Sequence, residues 1–210
     1  MERGKFIVFE GTDGSGKSTQ MRLLGKYLAS RGVEVCFTHE PTDSPFGGLL
    51  RDCMKRTIDT NEHTIAALFA ADRIDHIQNP VYGILSKLEQ GITVLCDRYY
   101  FSSFAYNGGF VPLEWVIELN KPAMQLLRPD LTIFFDLSAE VAMNRVARRT
   151  ERERYENLER QKLIREKYFE VFERFKDDEN IAIIKSEESK EATHAHVCSA
   201  VDALFFGGEQ

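Results

Sequence analysis

Apolar positions along the chain follow two alternating rhythms. Short, continuous apolar runs recur at residues 6–9, 33–38, 92–96, 131–135 and 181–184. Such runs are expected of strands buried on both faces of a parallel sheet. Between them the spacing becomes helical. Met21, Leu24, Tyr27 and Leu28 share one face of a helix that follows the first run, and Gly32 marks its end. Residues 66–78 read as a second helix. Pro80 begins or kinks the next, which runs to Gly91, and residues 156–175 are strongly helical. Residues 39–45 are polar, carry two prolines and read as a loop. Alternation of this kind predicts a mainly parallel five-stranded sheet with helices on both faces. Ligands in such folds bind at the carboxyl ends of the strands. The segment after the first run, Glu40, Asp97-Arg98 and the stretch after Asp136 all fall there.

The segment after the first run is Gly11-Thr12-Asp13-Gly14-Ser15-Gly16-Lys17-Ser18, followed by Thr19. It fits the phosphate-loop pattern G-x-x-x-x-G-K-[ST] and sits between a strand and a helix, as that motif requires. Glycines let the backbone turn tightly and bring its N–H groups to a phosphate, at which the positive end of the helix also points. Lys17 is then the residue to reach the β- and γ-phosphates, and the Ser18 hydroxyl the one to hold Mg²⁺. Asp97 closes a buried strand, where an acid can organise the metal, directly or through water, while Arg98 can grip a second phosphate. An ordinary Asp-Arg pair at a strand end is the plainer alternative.

Residues 145–154 hold five arginines and two glutamates. Two readings stand open. They form solvated helix faces with i,i+4 pairs, or an arginine-rich segment closing over a phosphoryl-transfer site. Phe69 and Arg73 lie one helical turn apart. That spacing permits an aromatic stacked on a base beside an arginine, and equally permits a core phenylalanine.

With 210 residues, 43% of them hydrophobic, the chain suffices for one large α/β domain. Its net charge of −6 argues against a general nucleic-acid binder. Cys36, Cys53, Cys96 and Cys198 form no C-x-x-C pair, which speaks against zinc or redox chemistry. Cys96 reads as a small core residue, and His194 and His196 as solvated. Reduced thiols and the lack of a signal peptide fit the cytoplasm. The apolar runs are too short to span a bilayer.

Several segments resemble thymidylate kinases. They are residues 9–20 around the phosphate loop, Glu40-Pro41, Leu68-Phe69-Ala70-Ala71-Asp72-Arg73, Asp97-Arg98-Tyr99, residues 102–106 and Arg128-Pro129-Asp130-Leu131. They occur in the family's order and cover the chain to about residue 175. The resemblance implies a three-layer P-loop NTPase fold in a single kinase domain, residues 1–210, with an arginine-rich lid at about 145–158. It implies transfer of the γ-phosphate of ATP to thymidine 5′-monophosphate with Mg²⁺, in a homodimer to which the helix from Ala66 contributes. Phe69 would stack on thymine and Arg73 approach the base edge. Glu40 would belong to the acceptor site. Arg98, with Arg51, would bind the acceptor phosphate. Asp13 would lie near the sugar 3′-hydroxyl, Ser103 contact the base, Tyr106 crowd the 2′ position, and Tyr155 be the lid tyrosine. Some family members carry an arginine where this chain has Gly14. The catalytic arginine is therefore expected among Arg148, Arg149, Arg152 and Arg154. Many bacterial members read Glu-Pro-Gly-Gly-Thr where this chain has Glu40-Pro41-Thr42-Asp43-Ser44.

Three rivals remain on the same residues. One is a kinase for another nucleotide or a nucleoside. The second is a GTP-binding switch, although Asn120-Lys121-Pro122-Ala123 lacks the aspartate of the usual guanine-reading string. The third is a binding protein that has lost catalysis.

Overall fold

The structure, a computed structural model, describes residues 2–146, 158–187 and 189–206. Five strands pair in parallel: β1 (Phe6–Glu10), β2 (Val35–His39), β3 (Thr93–Asp97), β4 (Leu131–Asp136) and β5 (Ile181–Lys185). Their order across the sheet is β2-β3-β1-β4-β5, so β1 is central. Alternate residues of each strand face opposite layers. Ile7, Phe9, Leu95, Ile133 and Phe135 pack under Leu24 and Leu28 of α1 (Lys17–Ser30) and Val197 and Val201 of α9 (Lys190–Phe206). Phe6, Val8, Val94, Cys96 and Phe134 face the other way. They meet Tyr100, Phe101 and Phe104 of α5 (Tyr100–Tyr106), and Ile164, Tyr168 and Phe172 of α8 (Leu158–Phe175). This is the expected three-layer α/β arrangement, and all five strands lie where the apolar runs placed them. Cys96 is fully buried, as expected.

Helix boundaries differ more. Within the segment read as a loop, α2 (Pro45–Met54) begins. Ser44 caps it by accepting from the N–H groups of Phe46 and Gly47, and Pro45 stands at the first helical position, where its missing donor costs nothing. The helix expected from residue 66 is α3 (Glu62–Gln78), which starts earlier because Asn61 accepts from the Thr64 N–H at 2.9 Å. After Pro80 comes α4 (Ile84–Glu89). Two further helices are α6 (Leu113–Leu126), which contains Pro122, and α7 (Ala139–Val146). His194 is half-buried rather than solvated, edge-on to the Tyr27 ring at 6.4 Å.

One buried carboxylate ties three of these elements together. β1 ends on Glu10, which is wholly inaccessible to solvent. It accepts from the N–H groups of Tyr99 (2.9 Å) and Ser102 (3.1 Å), from Ser102 Oγ (2.6 Å) and from the Tyr168 hydroxyl (2.8 Å). It thereby supplies acceptors to the start of α5, whose own cap residue Tyr99 makes no side-chain bond there. Burial raises the Glu10 pKa, against the opposing pull of Ser102, Arg98, Tyr168 and Tyr99. Glu10→Ala would strand these donors in the core. A loss of about 3 kcal/mol or more is expected, since each buried unsatisfied donor costs about 1–3 kcal/mol. Glu10→Gln, which keeps one acceptor oxygen, should lose less. Urea midpoints of the two variants check the order.

Candidate active site

The turn from β1 into α1 is shaped by glycine. Gly11 has φ 145°, and a Cβ there would sit 2.8 Å from Ser15 Oγ and 2.9 Å from the Phe135 carbonyl oxygen. Gly16 caps α1 at φ 96°. These are conformations that other residues rarely adopt. Within the turn Lys17 Nζ donates to the carbonyls of Gly11 (3.0 Å) and Thr12 (3.1 Å). Burial and the nearby Arg98 cation lower the Lys17 pKa, while Asp97, Asp13 and Glu10 push it back up. Ser18 Oγ donates to Asp97 Oδ2 across to β3, at 3.0 Å. Asp97 Oδ1, Thr12 Oγ1 and Ser15 Oγ are buried with no hydrogen-bond partner among the described residues. Gly14, Gly16, Lys17, Ser18, Thr19, Asp97 and Arg98 line a cleft of about 240 Å³, with Asp13 and Glu40 at its border.

Arg98 holds a left-handed backbone, φ 74°, which is uncommon for a residue with a side chain. Its N–H donates to the Phe9 carbonyl at 2.9 Å, continuing the β3–β1 pairing past the strand. The turn sends its guanidinium back over the glycine loop. It donates to the Gly11 carbonyl, Ser102 Oγ and the Tyr106 hydroxyl, each at 3.1 Å, and pairs with Asp13. It also lies 4.8 Å above the Tyr106 ring. Burial opposes its charge, but the oxygens of Tyr106, Asp13, Tyr168 and Asp97 outweigh this and raise its pKa well above the ordinary value.

A second cleft, of about 230 Å³, opens on the far side of Arg98. Asp13, Glu40, Phe69, Arg73, Arg98, Ser103 and Tyr106 all line it. These residues come from five separate stretches of sequence, and each had been assigned to the acceptor site. Glu40, Asp13 and Arg98 border both clefts. Arg73, on α3, is 1% exposed. Its Nε and Nη2 lie on Glu40 Oε2 at 2.8 and 2.7 Å, and its Nη1 donates to Ser103 Oγ at 3.0 Å. His76, one turn on, fixes the other Glu40 oxygen at 3.1 Å and meets Thr38 Oγ1 at 2.6 Å.

Arg51 lines neither cleft, and its guanidinium donates to the carbonyls of Pro41 and Thr42, bracing the loop that carries them. That loop is also held by buried Asp72, which accepts from Thr42 N (2.8 Å), Thr42 Oγ1 (2.6 Å) and Ser44 Oγ (3.1 Å). Arg148, Arg149, Arg152, Arg154 and Tyr155 lie outside the described residues. Arg145, from the same arginine cluster, donates to the carbonyls of Gly14 and Ser186 at 3.3 Å each, so it reaches the phosphate loop.

Sequence reasoning missed Asn107. It lines the second cleft, is fully buried, and neither its amide nitrogen nor its amide oxygen has a partner among the described residues. An amide left so offers two N–H hydrogens and an acceptor oxygen to an occupant of the cleft. Its position directly after Tyr106 was the available signal.

The arrangement resembles known proteins throughout its length. The family model described as thymidylate kinase matches residues 9–197. A protein of Thermococcus kodakarensis named "Probable thymidylate kinase" is 37% identical over 209 residues, covering 95% of this chain and 98% of its own. The "Thymidylate kinase" of Caldicellulosiruptor saccharolyticus is 36% identical, covering 96% and 98%. That of Symbiobacterium thermophilum is 41% identical over 174 residues, covering 79% and 78%. With a family match across most of its length and relatives of this similarity end to end, the chain belongs to the thymidylate kinase family.

Proposed function

We propose that this chain transfers the γ-phosphate of ATP to thymidine 5′-monophosphate, giving the diphosphate and ADP, as one cytoplasmic kinase domain. The observation that carries this reading is the pair of clefts meeting at Arg98 and Asp13, one walled by the phosphate loop and the other by Phe69, Arg73 and Ser103. Phosphoryl transfer asks for alignment and charge neutralisation more than for covalent chemistry. ATP phosphates would lie in the first cleft, where Lys17 exchanges its bonds to the Gly11 and Thr12 carbonyls for phosphate oxygens. Gly11 to Thr19 would wrap them. The acceptor phosphate would meet Arg98, with its sugar by Asp13 and Tyr106 and its base against Phe69, Arg73, Ser103 and Asn107. Glu40 acts through Arg73. The attacking atom is already a phosphate oxygen, so no strong base is needed.

Ser18 and Asp97 fit a magnesium ion: a hydroxyl at a helix start lies beside a carboxylate with one buried oxygen unpaired. Small hard cations favour such oxygen ligands together with substrate phosphates. When bound, the ion would neutralise charge on the transferring phosphates. With Gly14 in the loop, a further cation is assigned to the lid at 145–158, through Arg148, Arg149, Arg152 or Arg154, with Tyr155 beside the acceptor. A homodimer is supported by exposed Phe46 and Leu49 on α2 and Trp115 and Leu126 on α6, the two helices that flank α3. No described helix is long and apolar enough to cross a membrane.

Three outcomes test the proposal. In a coupled ADP-release assay, thymidine monophosphate should be preferred to cytidine and deoxycytidine monophosphates, and thymidine itself should not be phosphorylated. Preference for another acceptor would overturn the roles of Phe69, Ser103 and Tyr106 and leave the phosphate loop standing. Lys17→Ala should lower kcat by about 10³-fold, in line with removal of one preorganised charge donor, with its thermal melt retained. A well-folded, active variant would sink the assignment. In light scattering the protein should run at twice the chain mass.

A further inference from the structure

Asn120 is the buried group on which the acceptor site leaves the clearest unassigned mark. It belongs to α6, outside every segment that carries the family resemblance, and is wholly inaccessible to solvent. Its Oδ1 accepts a hydrogen bond from Arg73 Nη1, and its Nδ2 donates to the Val116 carbonyl at 2.8 Å. Both ends of the amide are thereby engaged, and the second bond fixes which way the first one points.

The consequence appears when the Arg73 donors are counted. A guanidinium carries five N–H groups. Nε and one Nη2 hydrogen face Glu40, and the two Nη1 hydrogens go to Ser103 and Asn120. At least one Nη2 hydrogen has no acceptor among the described residues. Ser103 accepts from Arg73, so its hydroxyl keeps its own hydrogen to give. The Ser103 hydroxyl, with one lone pair still vacant, can give or accept, so the donor-only member of the pair at the second cleft is Arg73. A base edge bearing a carbonyl satisfies it, and an edge bearing an amino group at the same place meets donor with donor. Remove Asn120, and one Nη1 hydrogen loses its buried acceptor, which leaves Glu40 and Ser103 alone to orient the guanidinium.

We propose that Asn120 is a specificity-positioning residue: it sets the choice of a 4-carbonyl over a 4-amino pyrimidine by holding the donor-only Arg73 in its place at the second cleft. This rests on the reading that the second cleft holds the acceptor base.

Steady-state kinetics on the full chain with thymidine, deoxyuridine and deoxycytidine monophosphates, for wild type, Asn120→Ala and Asn120→Asp, test it. Asn120→Ala should lower kcat/KM for both carbonyl acceptors about tenfold, the size of effect one buried hydrogen bond makes. The loss should lie in KM, with kcat reduced less than about threefold and the KM for ATP unmoved. The deoxycytidine value should stay within about threefold, and the ratio between the two carbonyl acceptors should not change. Asn120→Asp, which keeps the acceptor oxygen, should restore most of the carbonyl preference. A loss shared equally by all three acceptors, or an unchanged preference in Asn120→Ala, would overturn the inference. If Asn120→Ala shows no cooperative melt, Asn120→Leu, which preserves volume without an acceptor, is put through the same comparison with the same deciding ratio. A wild-type enzyme that does not favour carbonyl acceptors would instead overturn the proposed function itself, before any variant is read.

Discussion

The bond from the Arg98 N–H to the Phe9 carbonyl fixes more of this molecule than any other single contact. It carries the β1–β3 pairing one residue beyond Asp97, at the point where the chain must leave the sheet. Because Arg98 then turns left-handed, its side chain returns over the glycine loop instead of following the strand. A rare backbone conformation of this kind persists only where its surroundings over-determine it. Here they do: the backbone is held by Phe9, and the guanidinium by Gly11, Asp13, Ser102 and Tyr106. Moving β3 by one register step would put the Ser18–Asp97 pair and both clefts out of alignment together.

Behind that contact stands Glu10. A carboxylate with burial against it and four donors in its favour is costly to assemble, yet it joins β1 to α5 and α8 at one point. The helix bearing Ser103 and Tyr106 is therefore anchored to the strand that bears the phosphate loop. Tyr106, on the wall of the second cleft, belongs to the same buried cluster as Phe134 and Tyr168.

Much of this was legible in the chain. Parallel strands buried on both faces read as unbroken apolar runs, so all five were visible, and the glycine loop announced itself by pattern. What failed was instructive. Pro45, Gly47 and Gly48 make the start of α2 look like loop. Pro45 is at home in a first helical turn, and a Cβ on Gly47 would lie 1.9 Å from the Thr42 carbonyl oxygen, so close packing demands the glycine. Arg51 is expected at the acceptor phosphate from the family resemblance alone, and the Pro41 and Thr42 carbonyls to which it donates come within its reach only once the loop folds back. Asn107 is marked in the sequence only by its place directly after Tyr106, and Asn120 only by an incomplete guanine-reading string, and neither position predicts its buried surroundings. Their meaning comes from the side chains that three-dimensional packing sets beside them, or fails to set there.

Lys17 and Arg98 share one further property. In the structure each is already hydrogen-bonded, Lys17 to its own loop and Arg98 to groups that border both clefts. A phosphate that meets Arg98 from either cleft would disturb bonds that border the other. On the proposed assignment of the clefts, occupation of one then alters the energy of the other through the Arg98–Asp13 pair, and by thermodynamic reciprocity the two effects are equal. One guanidinium would set the coupling between donor and acceptor.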